Sequence, residues 1–182
     1  ITGYFGDGKK WGVKITYFLE TPEILGTAWV IKDFEGKLKG DFFMIYADIY
    51  SAVDYTRMAE AYARLPNVKI GMELVGDTDH PHDSDLVEVD QNLRVLKIHP
   101  KPHKELPARY KSMRGIYIFN KEILEYIPAE KYYEIDHHLL PSILKKDKKF
   151  YGYQCSDYLK DIGTPERYQK VKRYLENLKP RP

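Results

Sequence analysis

Two aspartates stand where a cation bound to phosphate can be held. Asp48 follows the apolar residues 42–47, and Asp161 lies between an expected strand and an expected helix. Open α/β sheets bind ligands beyond the carboxyl ends of their strands, and carboxylate oxygens there suit Mg2+ on a phosphate. Aspartates also commonly cap helices and form turns. Because the two residues are far apart in the sequence, only the fold can bring them together.

Lys101 stands between two prolines, Pro100 and Pro102. A lysine in such a stiff segment can contact a phosphate as a point charge. The alternative is an exposed lysine in a proline-rich loop.

The loop 77–85 concentrates four acids and two histidines. It contains two Asp-x-Asp units, which are typical of glycosyltransferases that need Mn2+. The spacing of His80 and His82 matches no strong zinc pattern. Aspartate, proline and serine also dominate ordinary turns, so metal binding competes here with a plain loop.

Other chemistries find little support. Cys155 falls in an expected strand, Ser84 lacks a nucleophile-elbow motif, and the early glycines do not form Gly-x-Gly-x-x-Gly. Twenty-nine basic and 27 acidic residues leave a net charge of only +2, which does not indicate a nucleic-acid partner.

A single cysteine excludes a disulfide within the chain and favours a reducing compartment. No apolar segment is long enough for a membrane span, so we expect a cytoplasmic protein. A homo-oligomer is one possible assembly.

The pattern of elements predicts one α/β domain over residues 1–182, with a mixed sheet and no linker. The apolar residues 42–47 predict a strand buried on both faces, as in a parallel sheet. Asp54 can cap a helix over 54–65, and Thr164, Pro165 and Glu166 start a helix that packs through Tyr168, Val171, Leu175 and Leu178. Further strands are expected at 13–19, 68–74, 86–89, 93–98, 113–119 and 150–155, and further helices at 120–127 and within 133–145.

Several motifs occur in the order typical of one family. They are Leu-Gly-Thr-Ala (25–28), Phe-Met-Ile-Tyr-Ala-Asp (43–48), Lys-Pro (101–102), Gly-Ile-Tyr-Ile-Phe (115–119) and Asp-Ile-Gly-Thr-Pro-Glu-Arg-Tyr (161–168). The chain thereby resembles the sugar-1-phosphate nucleotidyltransferases along essentially its whole length. The resemblance implies a Rossmann-like mixed sheet flanked by helices, of the nucleotide-diphospho-sugar transferase type.

The resemblance also implies a reaction and its residues. A sugar 1-phosphate would attack a nucleoside triphosphate and release pyrophosphate, with Mg2+ as the cofactor. Asp48 and Asp161 would bind the metal, and Lys101 would hold the sugar phosphate. Substrate binding would involve Leu25, Gly26, Thr27, Asp85, Gly115 and Tyr158.

The chain departs from the family pattern at its start. The glycine-rich Leu-Ala-Gly-Gly-x-Gly-Thr-Arg-Leu segment is not present, so we expect an N-terminally incomplete domain that lacks its first βα segment and is inactive by itself. This departure keeps open a noncatalytic regulatory homologue that binds a nucleotide sugar, beside the Mn2+-dependent glycosyltransferase. The 77–85 loop and Lys-Pro-His (101–103) look closest to guanylyltransferases that use GTP with mannose or heptose 1-phosphate.

Overall fold

A computed structural model describes residues 1–19, 26–129 and 131–178. The strands are β1 (Phe42–Ile45), β2 (Ile49–Ser51), β3 (Lys69–Gly76), β4 (Leu86–Val89), β5 (Val95–His99), β6 (Lys111–Phe119), β7 (Lys149–Tyr153) and β8 (Leu159–Asp161). The α-helices are α1 (Thr2–Phe5), α2 (Thr27–Asp33), α3 (Tyr55–Arg64), α4 (Leu140–Lys145) and α5 (Pro165–Leu178). Short segments of 3-10 helix cover Lys9–Trp11, Glu35–Lys37, Pro81–Asp83 and Lys121–Tyr126, and a turn of π-helix covers Ile135–Leu139.

A six-stranded mixed sheet forms the centre of the molecule. Its main path is β5-β4-β6-β3-β7, and β1 pairs with β6. Among the described strands of this sheet, β3 and β7 run parallel and the other pairs are antiparallel. The strand β3 pairs with one edge of β6. On the other edge, β4 pairs with the beginning of β6 and β1 pairs with its end. The strand β6 therefore changes neighbours near Gly115.

The core lies on both faces of this sheet because β6 sends alternate side chains to opposite sides. Tyr117 and Phe119 belong to the larger hydrophobic cluster, with the helical segment from Ile135 to Lys145. Ile116 and Ile118 belong to the second cluster, under α3. This packing holds β6, and with it Gly115, in a fixed position.

A short ribbon of two strands stands apart from the main sheet. The strands β2 and β8 pair antiparallel, with Ile49 opposite Asp161. The peptide N–H of Ile162 also donates to the carbonyl of Asp48, at 2.7 Å. The ribbon therefore joins the segment after β1 to the segment before α5.

Most predicted elements are confirmed. The Asp54 side chain accepts a hydrogen bond from the Arg57 N–H at the start of α3, and the Thr164 hydroxyl accepts one from the Arg167 N–H in the first turn of α5. The hairpin β4–β5 is present, and Asn120 caps a short 3-10 helix. The expected mixed sheet with flanking helices is confirmed as well.

Three predictions are wrong. Residues 13–19 form no strand, because they make no ladder with any described strand. The strand β1 is not buried on both faces: Phe43 and Ile45 are 40% and 43% exposed, because the face that carries them is only partly covered, and β1 pairs antiparallel with β6. The apolar stripe of α5 is mostly exposed, and only Val171 is buried.

No helix in the described ranges is long and apolar enough to cross a membrane.

Candidate active site

A cavity of about 210 Å3 opens where the β2–β8 ribbon meets the middle of β6. Asp48, Lys101, Asp85, Gly115 and Asp161 all line it. Five of the residues that the sequence singled out therefore share one cavity, although they come from five separate segments. Its other lining residues include Tyr46, Asp83, Arg114, Tyr117, Asp136 and Arg167.

The β2–β8 ribbon brings the two aspartates together. A methyl group placed on Gly163 would lie 3.6 Å from Asp48 Oδ2 and 3.7 Å from Asp161 Oδ1. Two hard carboxylate oxygens thus face a common point, which fits Mg2+, an ion that takes one or two carboxylates and completes its shell with water and phosphate. The described part of the chain contains no group of three acidic, histidine or cysteine side chains that could enclose a metal. Any further ligands would therefore come from solvent or substrate.

Arg167 reaches from the first turn of α5 into the same cavity. Its Nη1 donates to Asp161 Oδ1 at 2.7 Å, and its Nη2 donates to Asp83 Oδ2 at 3.1 Å. Desolvation alone would raise the pKa of Asp161, but the hydrogen bond and charge of Arg167 outweigh it and hold that pKa below its ordinary value. Asp161 is therefore ionised at neutral pH, as a metal ligand must be.

Lys101 and Asp85 lie side by side at the cavity wall. The Lys101 N–H donates to Asp85 Oδ1 at 2.9 Å, and His137 Nε2 lies 3.3 Å from the same oxygen. This backbone hydrogen bond fixes the start of the Lys-Pro segment. It explains how a lysine from a proline-rich loop comes to line the site.

A buried carboxylate lies at the base of the cavity. Asp136 is 8% exposed, and it accepts hydrogen bonds from the hydroxyls of Tyr117 (2.7 Å) and Tyr46 (3.0 Å). Desolvation raises its pKa to about 6, despite these two hydrogen bonds. Burial also raises the phenol pKa values of Tyr46 and Tyr117, so both hydroxyls keep their protons and remain donors.

A second buried carboxylate supports the bend in β6. Glu73 Oε1 accepts hydrogen bonds from the N–H groups of Arg114 (3.0 Å) and Gly115 (3.2 Å). Its Oε2 has no hydrogen-bond partner among the described residues. Desolvation, followed by the nearby charge of Asp136, raises the pKa of Glu73 well above its ordinary value. Glu73 thus accepts the backbone hydrogen bonds of β6 at the point where the neighbour of β6 changes from β4 to β1.

Three other residues expected at the substrate do not line this cavity. Gly26 and Thr27 begin α2: a Cβ on Gly26 would lie 2.7 Å from the carbonyl oxygen of Tyr133, and the Thr27 hydroxyl accepts a hydrogen bond from the Ile135 N–H at 3.1 Å. Tyr158 stacks on Tyr174, with ring centroids 3.8 Å apart. Leu25 falls outside the described residues.

The acidic loop 77–85 is held by cations of the chain itself. Asp77 pairs with Lys111 (2.9 Å), and Asp79 pairs with Lys160 (3.3 Å) and with His80. The hydrogen bond from His80 lowers the pKa of Asp79 strongly. Together with the Arg167–Asp83 contact, these pairs engage three of the four acids of the loop, which argues against a metal site formed by the loop alone.

Sequence reasoning missed Asp136, Glu73 and Arg167. Asp136 could have been found as an acid between Ile135 and Leu139 on a predicted apolar helix. Burying a charged group is costly, so an acid at such a position indicates a specific role. Arg167 could have been found as a cation in the first helical turn, where the helix dipole disfavours positive charge. Glu73 has no such signal, since it alternates with apolar residues like any residue on the solvent face of a strand.

Comparison with known proteins places the chain in a family. Residues 1–177 match the family model described as Nucleotidyl transferase. Over 90% of the chain, the sequence is 30% identical to a mannose-1-phosphate guanylyltransferase of Mycobacterium tuberculosis, of which it covers 45%. Over 96% of the chain, it is 27% identical to a UTP–glucose-1-phosphate uridylyltransferase of Synechocystis, of which it covers 48%. The chain therefore spans about half the length of these curated relatives.

Solved structures show the same fold. A crystal structure described as a putative glucose-1-phosphate thymidylyltransferase from Bacillus anthracis matches all of this chain and 73% of its own, with a TM-score of 0.82 and 19% identity. HddC from Yersinia pseudotuberculosis, complexed with GMP-PN, matches 96% of this chain and 74% of its own, with a TM-score of 0.71 and 23% identity. Since the family model covers nearly the whole sequence, the chain belongs to the nucleotidyl transferase family.

Proposed function

We propose that the protein joins a nucleoside triphosphate to a sugar 1-phosphate, giving a nucleotide sugar and pyrophosphate. The observation that carries this proposal is the convergence of Asp48, Asp161 and Lys101 on one cavity within a nucleotidyl transferase fold. Carboxylates that suit Mg2+ and a cation that suits a phosphate are the two parts that such a reaction needs.

In the proposed reaction, an oxygen of the sugar phosphate attacks the α-phosphorus of the triphosphate. A new phosphorus–oxygen bond forms, and the bond between the α-phosphorus and the bridging oxygen breaks, so that pyrophosphate leaves with that electron pair. The cavity lining offers no cysteine and no nucleophilic motif for a covalent intermediate. Orientation and charge neutralisation would therefore supply the catalysis.

Each side chain has a defined task in this scheme. Asp48 and Asp161 hold Mg2+, which would neutralise charge on the phosphate oxygens. Lys101 holds the phosphate of the sugar as a point charge. Asp136 and Asp85 present carboxylate oxygens inside the cavity, where they can accept hydrogen bonds from sugar hydroxyls. Gly26, Thr27, Leu25 and Tyr158 remain candidates for nucleotide contacts outside this cavity.

We further propose guanine nucleotide as the preferred base and mannose or heptose 1-phosphate as the sugar substrate. The support is the similarity of the 77–85 loop and of the Lys-Pro-His segment to guanylyltransferases. A D-glycero-alpha-D-manno-heptose 1-phosphate guanylyltransferase of Aneurinibacillus thermoaerophilus is also 26% identical over 97% of this chain, which covers 74% of that relative.

Pyrophosphate release tests the proposal. The protein is assayed with Mg2+, each of GTP, ATP, UTP and dTTP, and mannose, glucose or heptose 1-phosphate. When these residues follow the family's glycine-rich Leu-Ala-Gly-Gly-x-Gly-Thr-Arg-Leu segment, we expect release with GTP and the mannose-type sugar. In the same protein, Asp161→Asn should lose roughly a hundredfold or more. Glu60→Gln removes an exposed carboxylate that only pairs with Arg64 on α3 and should leave turnover unchanged.

Two results would contradict this assignment. Turnover that survives Asp161→Asn would mean that the reaction occurs elsewhere. Tight binding of a nucleotide sugar with no turnover of any substrate pair would instead indicate the noncatalytic regulatory homologue.

A further inference from the structure

Arg167 holds two carboxylates that belong to distant segments. Each terminal nitrogen of its guanidinium donates a hydrogen bond to a different carboxylate: Nη1 donates to Asp161 at 2.7 Å, and Nη2 donates to Asp83 at 3.1 Å. One guanidinium thus ties the loop 77–85 to the segment β8–α5 across the cavity. Lys160 and Asp79 add a second tie between the same segments, at 3.3 Å.

The position of Arg167 in its helix makes these contacts informative. Arg167 lies in the first turn of α5, where exposed N–H groups and the helix dipole disfavour a cation. The helix is already capped by the Thr164 hydroxyl, so it does not need the arginine. The two carboxylates, Asp161 and Asp83, offset the unfavourable interaction of the arginine with the helix dipole. The position of Arg167 therefore points to a role in the cavity and not in the helix.

Arg167 bonds the same oxygen of Asp161 that lies near Gly163. Asp161 Oδ1 accepts the bond from Nη1, and a methyl position on Gly163 lies 3.7 Å from this oxygen and 3.6 Å from Asp48 Oδ2. A guanidinium and a metal ion would therefore compete for the same carboxylate oxygen.

We propose that Arg167 exchanges partners: it neutralises Asp161 when no metal is bound, and it binds a substrate phosphate once Mg2+ has taken Asp161. This inference rests on the proposed function. A guanidinium matches phosphate oxygens with paired hydrogen bonds, and Arg167 lines the same cavity as Lys101. The phosphate belongs either to the triphosphate or to the sugar, and the experiment separates the two.

The first arm measures metal binding without substrate. Mn2+ is titrated into the wild-type protein, Arg167→Gln and Lys170→Gln, with bound metal followed by electron paramagnetic resonance. Arg167→Gln should bind Mn2+ about fivefold more tightly or better, because the competing cation is gone. Lys170→Gln is the matched control: it removes a positive charge from the same helix, where Lys170 only pairs with Glu166 at 2.9 Å. An equal gain in Mn2+ affinity in Lys170→Gln would mean that net charge alone explains the change, and it would overturn the proposal.

The second arm measures phosphate binding with saturating Mg2+. GTP and mannose 1-phosphate are titrated separately by calorimetry. Arg167→Gln should bind one of them roughly tenfold or more weakly, and that ligand identifies the phosphate that Arg167 contacts. Arg167→Lys keeps the charge but loses the paired geometry, so its affinity should be intermediate. The exchange predicts opposite effects on the two affinities: tighter metal binding and weaker phosphate binding. Loss of a residue that only ties segments together would weaken both affinities or change neither.

A third variant separates this inference from the proposed function. Asp48→Asn should abolish Mn2+ binding if the two aspartates form the metal site. Metal binding that persists in Asp48→Asn would contradict both the proposed metal site and the proposed exchange of partners by Arg167. Loss of binding in Asp48→Asn, with both affinities unchanged in Arg167→Gln, would refute the exchange alone. Arg167→Met, which also removes the positive charge, provides the same metal comparison if the glutamine variant does not fold.

Discussion

Replacing Gly115 by alanine tests whether the bend of β6 depends on a residue without a side chain. Gly115 has φ +68°, a left-handed conformation that other residues adopt only at a cost. A Cβ there would lie 2.5 Å from Tyr46 Cδ2 and 2.8 Å from Ile49 Cδ1, closer than van der Waals contact allows. The substitution therefore carries a backbone cost and a packing cost.

Gly12→Ala is the matched control for the backbone cost. Gly12 has a similar φ of +72°, but a Cβ there would meet no atom within 4 Å. We expect Gly12→Ala to lower the free energy of unfolding by no more than about 1–2 kcal/mol. Gly115→Ala should lower it by about 1–3 kcal/mol more, because its methyl group overpacks a fixed site. The difference corresponds to several degrees of melting temperature in a domain of this size.

Urea unfolding, followed by circular dichroism, measures both variants against the wild-type protein. A second readout is the affinity for sugar phosphate, which should fall in Gly115→Ala because Tyr46 and Ile49 line the cavity. Equal destabilisation by the two substitutions would refute the reasoning, since it would mean that Tyr46 and Ile49 move aside without cost.

Three further predictions concern the cavity. Gly163→Ala should change the free energy of unfolding by less than about 1 kcal/mol, since its methyl contacts of 3.6 and 3.7 Å are ordinary. Calorimetry should nevertheless show about tenfold weaker Mg2+ binding, because the methyl lies within 4 Å of an oxygen of each carboxylate; unchanged affinity would mean that the metal binds elsewhere. Lys101→Ala should raise the KM for sugar 1-phosphate roughly tenfold or more, with little change for the triphosphate, and equal changes in both would contradict the assignment. Asp136 has a pKa of about 6 in the fold against 3.8 ordinarily, so the folded state keeps a proton that the unfolded chain releases, and stability should fall as pH rises from about 4 to about 6. Denaturant unfolding should show a smaller slope in Asp136→Asn than in the wild-type protein, and the raised pKa of Glu73 accounts for a remaining slope of the same sign. An unchanged slope in the variant would assign it to a group other than Asp136.

Local patterns in the sequence predicted the elements that depend on near neighbours. Asp54 and Thr164 were recognised as helix caps because a cap bonds an N–H only three residues away. The hairpin β4–β5 followed from a turn between two alternating segments. The α5 stripe and the residues 13–19 were predicted wrongly, since burial and strand pairing depend on what lies opposite, which no local pattern contains.

The sequence by itself determined the residue types of the site, the helix caps and the family motifs in their order. Only the tertiary structure decided that Asp48 and Asp161 line one cavity, because their proximity depends on the β2–β8 ribbon that joins distant segments. It also decided that Glu73 and Asp136 are buried and that Arg167 spans the cavity. Burial, pKa and ion pairing are set by the groups that folding brings close in space, and the chain order does not specify those groups.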